Sequence, residues 1–176
     1  MEEKDYYGLL ACPIFSERKL NEFVKLIDVS KSFLRTEKEI KISMDEWNFR
    51  TNPLCSALAT CRFFNALQRL SNYVAIVGFF PAFIVTDSTV ITGKLIETLK
   101  DTILLESSYY AFDLYANHSG EIVLDTVVES ETYDAEFPAG SLRLRNVQVR
   151  EVPFVDSLAT LSADRRTLFI STVNAH

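Results

Sequence analysis

The sequence predicts an α/β layer followed by an all-β part, and three observations carry that expectation. The run from Tyr73 to Phe80 is nearly continuous in apolar residues, as in a strand buried on both faces of a parallel sheet. A helical apolar repeat separates it from an alternating segment at Ile40 to Met44, giving a strand, helix, strand order. After Gly120 the chain changes to short β-rich runs divided by turn residues, the pattern of a sandwich or barrel.

Taken in order, Pro13-Ile14-Phe15 leads to Ser16, a candidate N-cap. From Glu17 to Leu34, apolar side chains at Leu20, Phe23, Val24, Ile27, Val29 and Phe33 then describe an amphipathic helix. The alternation of Ile40 to Met44 predicts a strand that the polar cluster Asp45 to Asn48 stops. Asn52-Pro53 starts a second helix running to about Leu70, where Ser71-Asn72 breaks it before the Tyr73 to Phe80 strand. Thr86 to Leu104 reads as a long loop with a short helix from Gly93 to Leu99, and Ser107 to Asn117 as an aromatic helix whose rings serve core packing. Strands are expected at Ile122 to Val128, Leu142 to Glu151, Ser157 to Leu161 and Thr167 to Val173. The change of character at Gly120 divides the chain into residues 1–119 and 120–176. One βαβ unit cannot close a barrel and leaves sheet edges unpaired. The expectation is therefore a piece of a larger fold.

Composition narrows the function. A chain of 176 residues with 48% hydrophobic and 24% charged residues is that of an ordinary globular protein. A net charge of -6 and no basic stripe argue against nucleic acid as a partner, since neutralising phosphates needs clustered Lys and Arg. Cys12, Cys55 and Cys61 are odd in number and fit buried reduced thiols; they suggest no metal spacing. The acidic start Met1 to Asp5 is unlike a signal peptide, and the apolar stretch Tyr73 to Val85 falls short of the about 20 residues a membrane span needs. A cytoplasmic protein without membrane contact is expected. Asn117-His118-Ser119 fits a glycosylation sequon but reads as a polar turn.

The chemistry centres on Asp45-Glu46. In an α/β barrel the active site lies at the carboxyl ends of the strands, so a carboxylate at such an end is a candidate catalytic group. Neighbouring strand residues point to opposite sides, and alternation alone leaves open which carboxylate faces the lumen. Trp47 offers an apolar ring and Asn48 an amide, suited to a sugar face and its hydroxyls. The plainer reading makes Asp45 a cap and Glu46 a solvated loop charge, the usual outcome for an isolated acidic pair.

Several blocks in order add a resemblance. Ile42-Ser43-Met44-Asp45-Glu46-Trp47-Asn48 resembles the strand-end signature of glycoside hydrolase family 51, the α-L-arabinofuranosidases. Tyr6 to Pro13, Phe63 to Arg69, Tyr109 to His118 and Val152 to Ala159 are similar to further stretches of that family. The resemblance implies a partial (β/α)8 barrel over residues 1–119 and an incomplete C-terminal β-sandwich over residues 120–176. It implies Glu46 as nucleophile of a retaining double displacement, Trp47 and Asn48 as substrate-binding residues, and an arabinose-containing carbohydrate as substrate. It implies no cofactor or metal, and a homo-oligomer. The family's acid/base glutamate follows an asparagine at an earlier strand, and no segment here matches it. Glu2, Glu3, Glu17, Glu22, Glu37 and Glu39 lie in a polar terminus, on a helix or before the strand. The chain also departs from the family in the short Phe49-Arg50-Thr51 link and in Pro81, where the family commonly has Gln. The isolated chain is thus expected to be inactive, with a non-catalytic binding or assembly module as the alternative function.

Overall fold

The computed structural model describes residues 2–50, 52–85, 94–137 and 147–176. Helix α1 (Glu3–Leu34) begins well before Ser16, which lies inside it and caps nothing, a correction to the expected start. Pro13 sits in the helix interior, where a missing N–H and a ring clash cost about 3 kcal/mol. Burial of Leu10, Ala11, Pro13 and Ile14 along one side offsets that cost, so packing overrides the local breaker. Arg35 ends the helix in the left-handed region at φ 48.

Strand β1 (Ile42–Trp47), helix α2 (Pro53–Arg69) and strand β2 (Val74–Phe79) form the expected βαβ unit, with β1 and β2 parallel. Asn52 caps α2 by accepting from the Leu54 amide at 3.1 Å, and Pro53 occupies the first turn where its missing N–H costs nothing. The polar cluster at Asp45 does not stop β1; the strand runs through it to the buried Trp47. Burial of β2 on both faces is also corrected. Val77 and Phe79 pack with Phe63 and Phe112, whereas Ile76 is 64% exposed, because helices cover only one side of the pair.

The short helix expected from Gly93 is not formed at its described end. Ile96–Leu99 is strand β4, flanked by β3 (Phe83–Val85) in parallel and β5 (Thr102–Leu105) antiparallel. Lys100, at φ 48, turns β4 into β5 through a two-residue loop. Gly93 itself and the loop expected from residue 86 lie outside the described residues up to residue 93. Helix α3 (Ser107–Asn117) forms as expected and lays Phe112 against Phe64 at 4.7 Å.

Beyond Gly120, β6 (Ile122–Val123) is shorter than expected, and β7 (Thr132–Glu136) was not foreseen. Strand β8 (Gln148–Pro153), β9 (Val155–Leu161) and β10 (Leu168–Asn174) follow; residues 142–146 of the run expected at Leu142 to Glu151 lie outside the described residues. They make two antiparallel sheets, β10-β9-β6 and β7-β8. Val149, Val152 and Phe137 pack on Ala11 and Ile14 of α1. At Gly120 a Cβ would stand 2.3 Å from the Leu161 carbonyl, so only glycine lets the chain enter this region so close to β9.

A buried polar seam joins the layers along α2. The Arg62 guanidinium donates to the carbonyls of Leu10 at 2.8 Å, Phe154 at 3.2 Å and Pro153, and to the Tyr133 hydroxyl at 3.2 Å. Asn65 donates to Asp156 at 2.9 Å and accepts from Tyr115 at 2.6 Å. Burial pushes the Tyr115 phenol well up, which keeps it protonated as that donor. Arg69 bridges Asp156 at 3.1 Å and Glu17 at 2.6 Å.

The three cysteines are free thiols, in line with expectation. Burial pushes Cys12 up to about 12 and Cys55 and Cys61 up to about 11. Raised folded values favour the neutral thiol, so this contribution to stability is complete below the unfolded thiol range and is lost as pH rises through 11 to 12. Iodoacetamide at neutral pH should leave all three unmodified in the native chain and alkylate them in denaturant, read by mass. Replacing Arg62 with Met strands several buried acceptors and should cost about 3 kcal/mol or more in urea unfolding.

Candidate active site

Helices α2 and α3 take up the inward positions of β1, and their spacing is irregular. Ile42, Met44 and Trp47 all pack toward the helices, so the interval widens from two residues to three. The register explains it: Met44 pairs with Val77 and Trp47 with Phe79, leaving Asp45 and Glu46 together opposite the single Gly78. This is a β-bulge. A regular strand would turn one of the two carboxylates toward the helices; the bulge leaves both exposed, which answers the question alternation left open.

The two acids differ in their surroundings. Asp45 accepts from the Ser43 hydroxyl at 3.0 Å. Among the described residues the Glu46 carboxylate has no hydrogen-bond or ion-pair partner. Beside them the strand ends are laced together, with the Phe80 amide donating to the Trp47 carbonyl at 3.2 Å and the Asn48 amide to the Phe80 carbonyl at 2.9 Å. Trp47 is 9% exposed, its ring 4.7 Å from Phe63, 5.0 Å from Phe79 and stacked on Phe112 at 6.1 Å. Its ring faces the helices, on the opposite side from the carboxylates.

Several other acids are engaged in ion pairs. Glu17 pairs with Arg69, Glu22 with Lys19, Glu39 with Lys41, Glu2 with Lys4, and Glu97 with Lys94. No group of three or more His, Cys, Asp or Glu side chains able to hold a metal is present among the described residues. Two features escaped the sequence reading. The seam of Arg62, Asn65 and Arg69 was signalled by polar residues at helical spacing on an otherwise apolar helix. Gly78 was signalled by a lone glycine inside an apolar strand, a mark of close backbone approach.

A family model, the alpha-L-arabinofuranosidase C-terminal domain, matches residues 44–168. The arabinose complex of the Thermotoga maritima α-L-arabinofuranosidase superposes with a TM-score of 0.79 at 30% identity, over 98% of this chain and 36% of that one. The GH51 α-L-arabinofuranosidase of Thermotoga petrophila RKU-1 gives 0.78 at 32% identity, with the same 98% and 36% coverage. A family 51 α-L-arabinofuranosidase of Bifidobacterium longum, 14% identical, shares the fold with a TM-score of 0.78 over 99% of this chain and 37% of that one. The chain thus spans little more than a third of these structures. The search of curated proteins returned no match.

Because the Trp47 ring holds the carboxylate-bearing strand end in place, Trp47→Ala should cost about 3–5 kcal/mol in urea unfolding. It should also speed amide exchange at Asp45 and Glu46 relative to β9, measured by hydrogen–deuterium exchange.

Proposed function

The chain belongs to the alpha-L-arabinofuranosidase C-terminal domain family, and from that premise we propose that it carries the nucleophile half of a retaining α-L-arabinofuranosidase site. The observation that carries the proposal is the bulge, which presents Glu46 unpartnered at the carboxyl end of a parallel strand. In this reading β1, α2 and β2 are part of a (β/α)8 barrel within residues 1–119, and β6 to β10 an incomplete β-sandwich within residues 120–176.

Glu46 would attack the anomeric carbon of a terminal arabinofuranosyl unit and form a glycosyl-enzyme ester. A second carboxylic acid, about 5 to 5.5 Å away in retaining enzymes, protonates the leaving oxygen and then activates water to release the sugar. Of the acids weighed in the sequence, Glu2, Glu17, Glu22 and Glu39 are held in ion pairs. The substrate is an arabinose-containing polysaccharide or oligosaccharide, and the chemistry requires no cofactor. Asn48 is a candidate sugar contact, and Trp47 contributes by anchoring the strand end. A cytoplasmic home accords with three free thiols. Assembly into a homo-oligomer accords with exposed apolar residues such as Phe33 on α1 and Val85 on β3.

A second reading, a non-catalytic binding or assembly module, draws on the same open surface, where Ile76, Phe80 and Phe83 are each more than half exposed. Calorimetry with arabino-oligosaccharides tests it: binding unaffected by Glu46→Gln would favour the module.

The purified chain should not measurably hydrolyse an aryl α-L-arabinofuranoside, because general acid assistance is worth about 10² to 10⁴-fold. Turnover abolished by Glu46→Gln would show that an acid is supplied after all. Turnover indifferent to that substitution would sink the assignment of Glu46.

A further inference from the structure

We propose that Gly78 is the positioning residue for Glu46, because the absence of a side chain there is what allows the two-residue bulge that turns the carboxylate away from the helices. A Cβ built on Gly78 would stand 2.3 Å from the Asp45 carbonyl oxygen and 3.2 Å from its carbon. Real carbon atoms do not approach backbone so closely, and the obstacle is main chain, which cannot swing aside as a long side chain does.

The clash has a definite geometric origin. Between the Met44–Val77 and Trp47–Phe79 pairs, β1 contains two residues where β2 contains one, so the surplus backbone of β1 is pushed toward β2 at Asp45. Gly78 is the residue of β2 that receives it. With a side chain at position 78, β1 must either move off β2 or lose the surplus residue from its pairing. Trp47 is locked among Phe63, Phe79 and Phe112, so the strand cannot absorb the change beyond the bulge. The displacement falls on Asp45 and Glu46. The functional meaning of this arrangement rests on Glu46 being the nucleophile, whereas the bulge itself is tested without catalysis.

Three variants of the full chain decide the matter: Gly78→Ala, Gly78→Ala combined with deletion of Asp45, and Gly120→Ala as a control clash against Leu161. Carbodiimide-driven amidation of Glu46, relative to the exposed Glu22 on α1, reports the carboxylate; emission from Trp47, the only tryptophan, reports the strand end. Gly78→Ala should lower Tm by roughly 3–10 °C and change Glu46 amidation severalfold. Gly120→Ala should lower Tm and leave Glu46 amidation unchanged. Deleting Asp45 removes the surplus residue, so in the Gly78→Ala background it should restore Tm and Trp47 emission, even if Gly78→Ala alone does not fold. Native Glu46 amidation in Gly78→Ala, an equal change in Gly120→Ala, or no rescue by the deletion would each overturn the proposal. None of these outcomes depends on hydrolysis, so the arabinofuranoside assay can fail or succeed independently.

Discussion

A guanidinium shut away from water depends on acceptors inside the protein, and the two terminal nitrogens of Arg62 find them on three separate segments, while its buried Nε has no partner among the described residues. Leu10 comes from α1, Tyr133 from β7, and Pro153 and Phe154 from the corner between β8 and β9. Each acceptor is worth little alone, but a buried charge with incomplete hydrogen bonds is costly, so the three segments are held to one mutual arrangement. Asn65 and Arg69, lying along the same side of α2, extend the constraint to Tyr115, Asp156 and Glu17. The other side of α2 is apolar, with Phe63 and Ala66 buried against β1 and β2. One helix therefore orients the β sheets by hydrogen bonds and strand β1 by packing.

This division explains why the strand end is so well defined despite carrying polar residues. Trp47 belongs to the apolar side, and its contacts with Phe63, Phe79 and Phe112 draw β1 onward past Asp45. The strand would otherwise have to bury one acid. Desolvating a carboxylate without a partner costs far more than a local irregularity in pairing. The bulge resolves the conflict by placing two acids between consecutive inward residues, and Gly78 makes room for it.

The sequence disclosed whatever depended on local pattern. Asn52-Pro53 marked the start of α2 because a cap and a first-turn proline act within a few residues. Tyr73 to Phe80 marked β2 through its apolar run. What it concealed depended on distant contacts. Pro13 and Ser16 looked like a helix boundary, but burial of Leu10 and Ile14 against other segments carried α1 through them. Ile96 to Leu99 looked helical until its pairing with β3 and β5 supplied the partners. In Thr132 to Glu136 only Tyr133 and Ala135 turn inward, too few to distinguish a strand from an acidic loop. Asp45-Glu46 was conspicuous as chemistry, yet which acid faced outward was undecidable from a regular alternation that the structure does not keep.

The exposure of Glu46 also bears on what the strand end can accomplish. A carboxylate open to water is solvated, and in the proposed role as nucleophile it must shed that hydration before it can attack a sugar. The residues around it are suited to a more enclosed setting. Ile76 within β2 and Phe80 just past its end present apolar surface on the same parallel pair, and parallel sheets are characteristically covered on both faces. A covered sheet would exclude water from Glu46 and, in the proposed role, strengthen its attraction to positive charge developing at the anomeric carbon. Orientation of the Glu46 carboxylate and its enclosure are thus separable tasks. Trp47 and the bulge perform the first within this chain; the second requires surface that α2 and α3, lying on the opposite side of the sheet, do not supply.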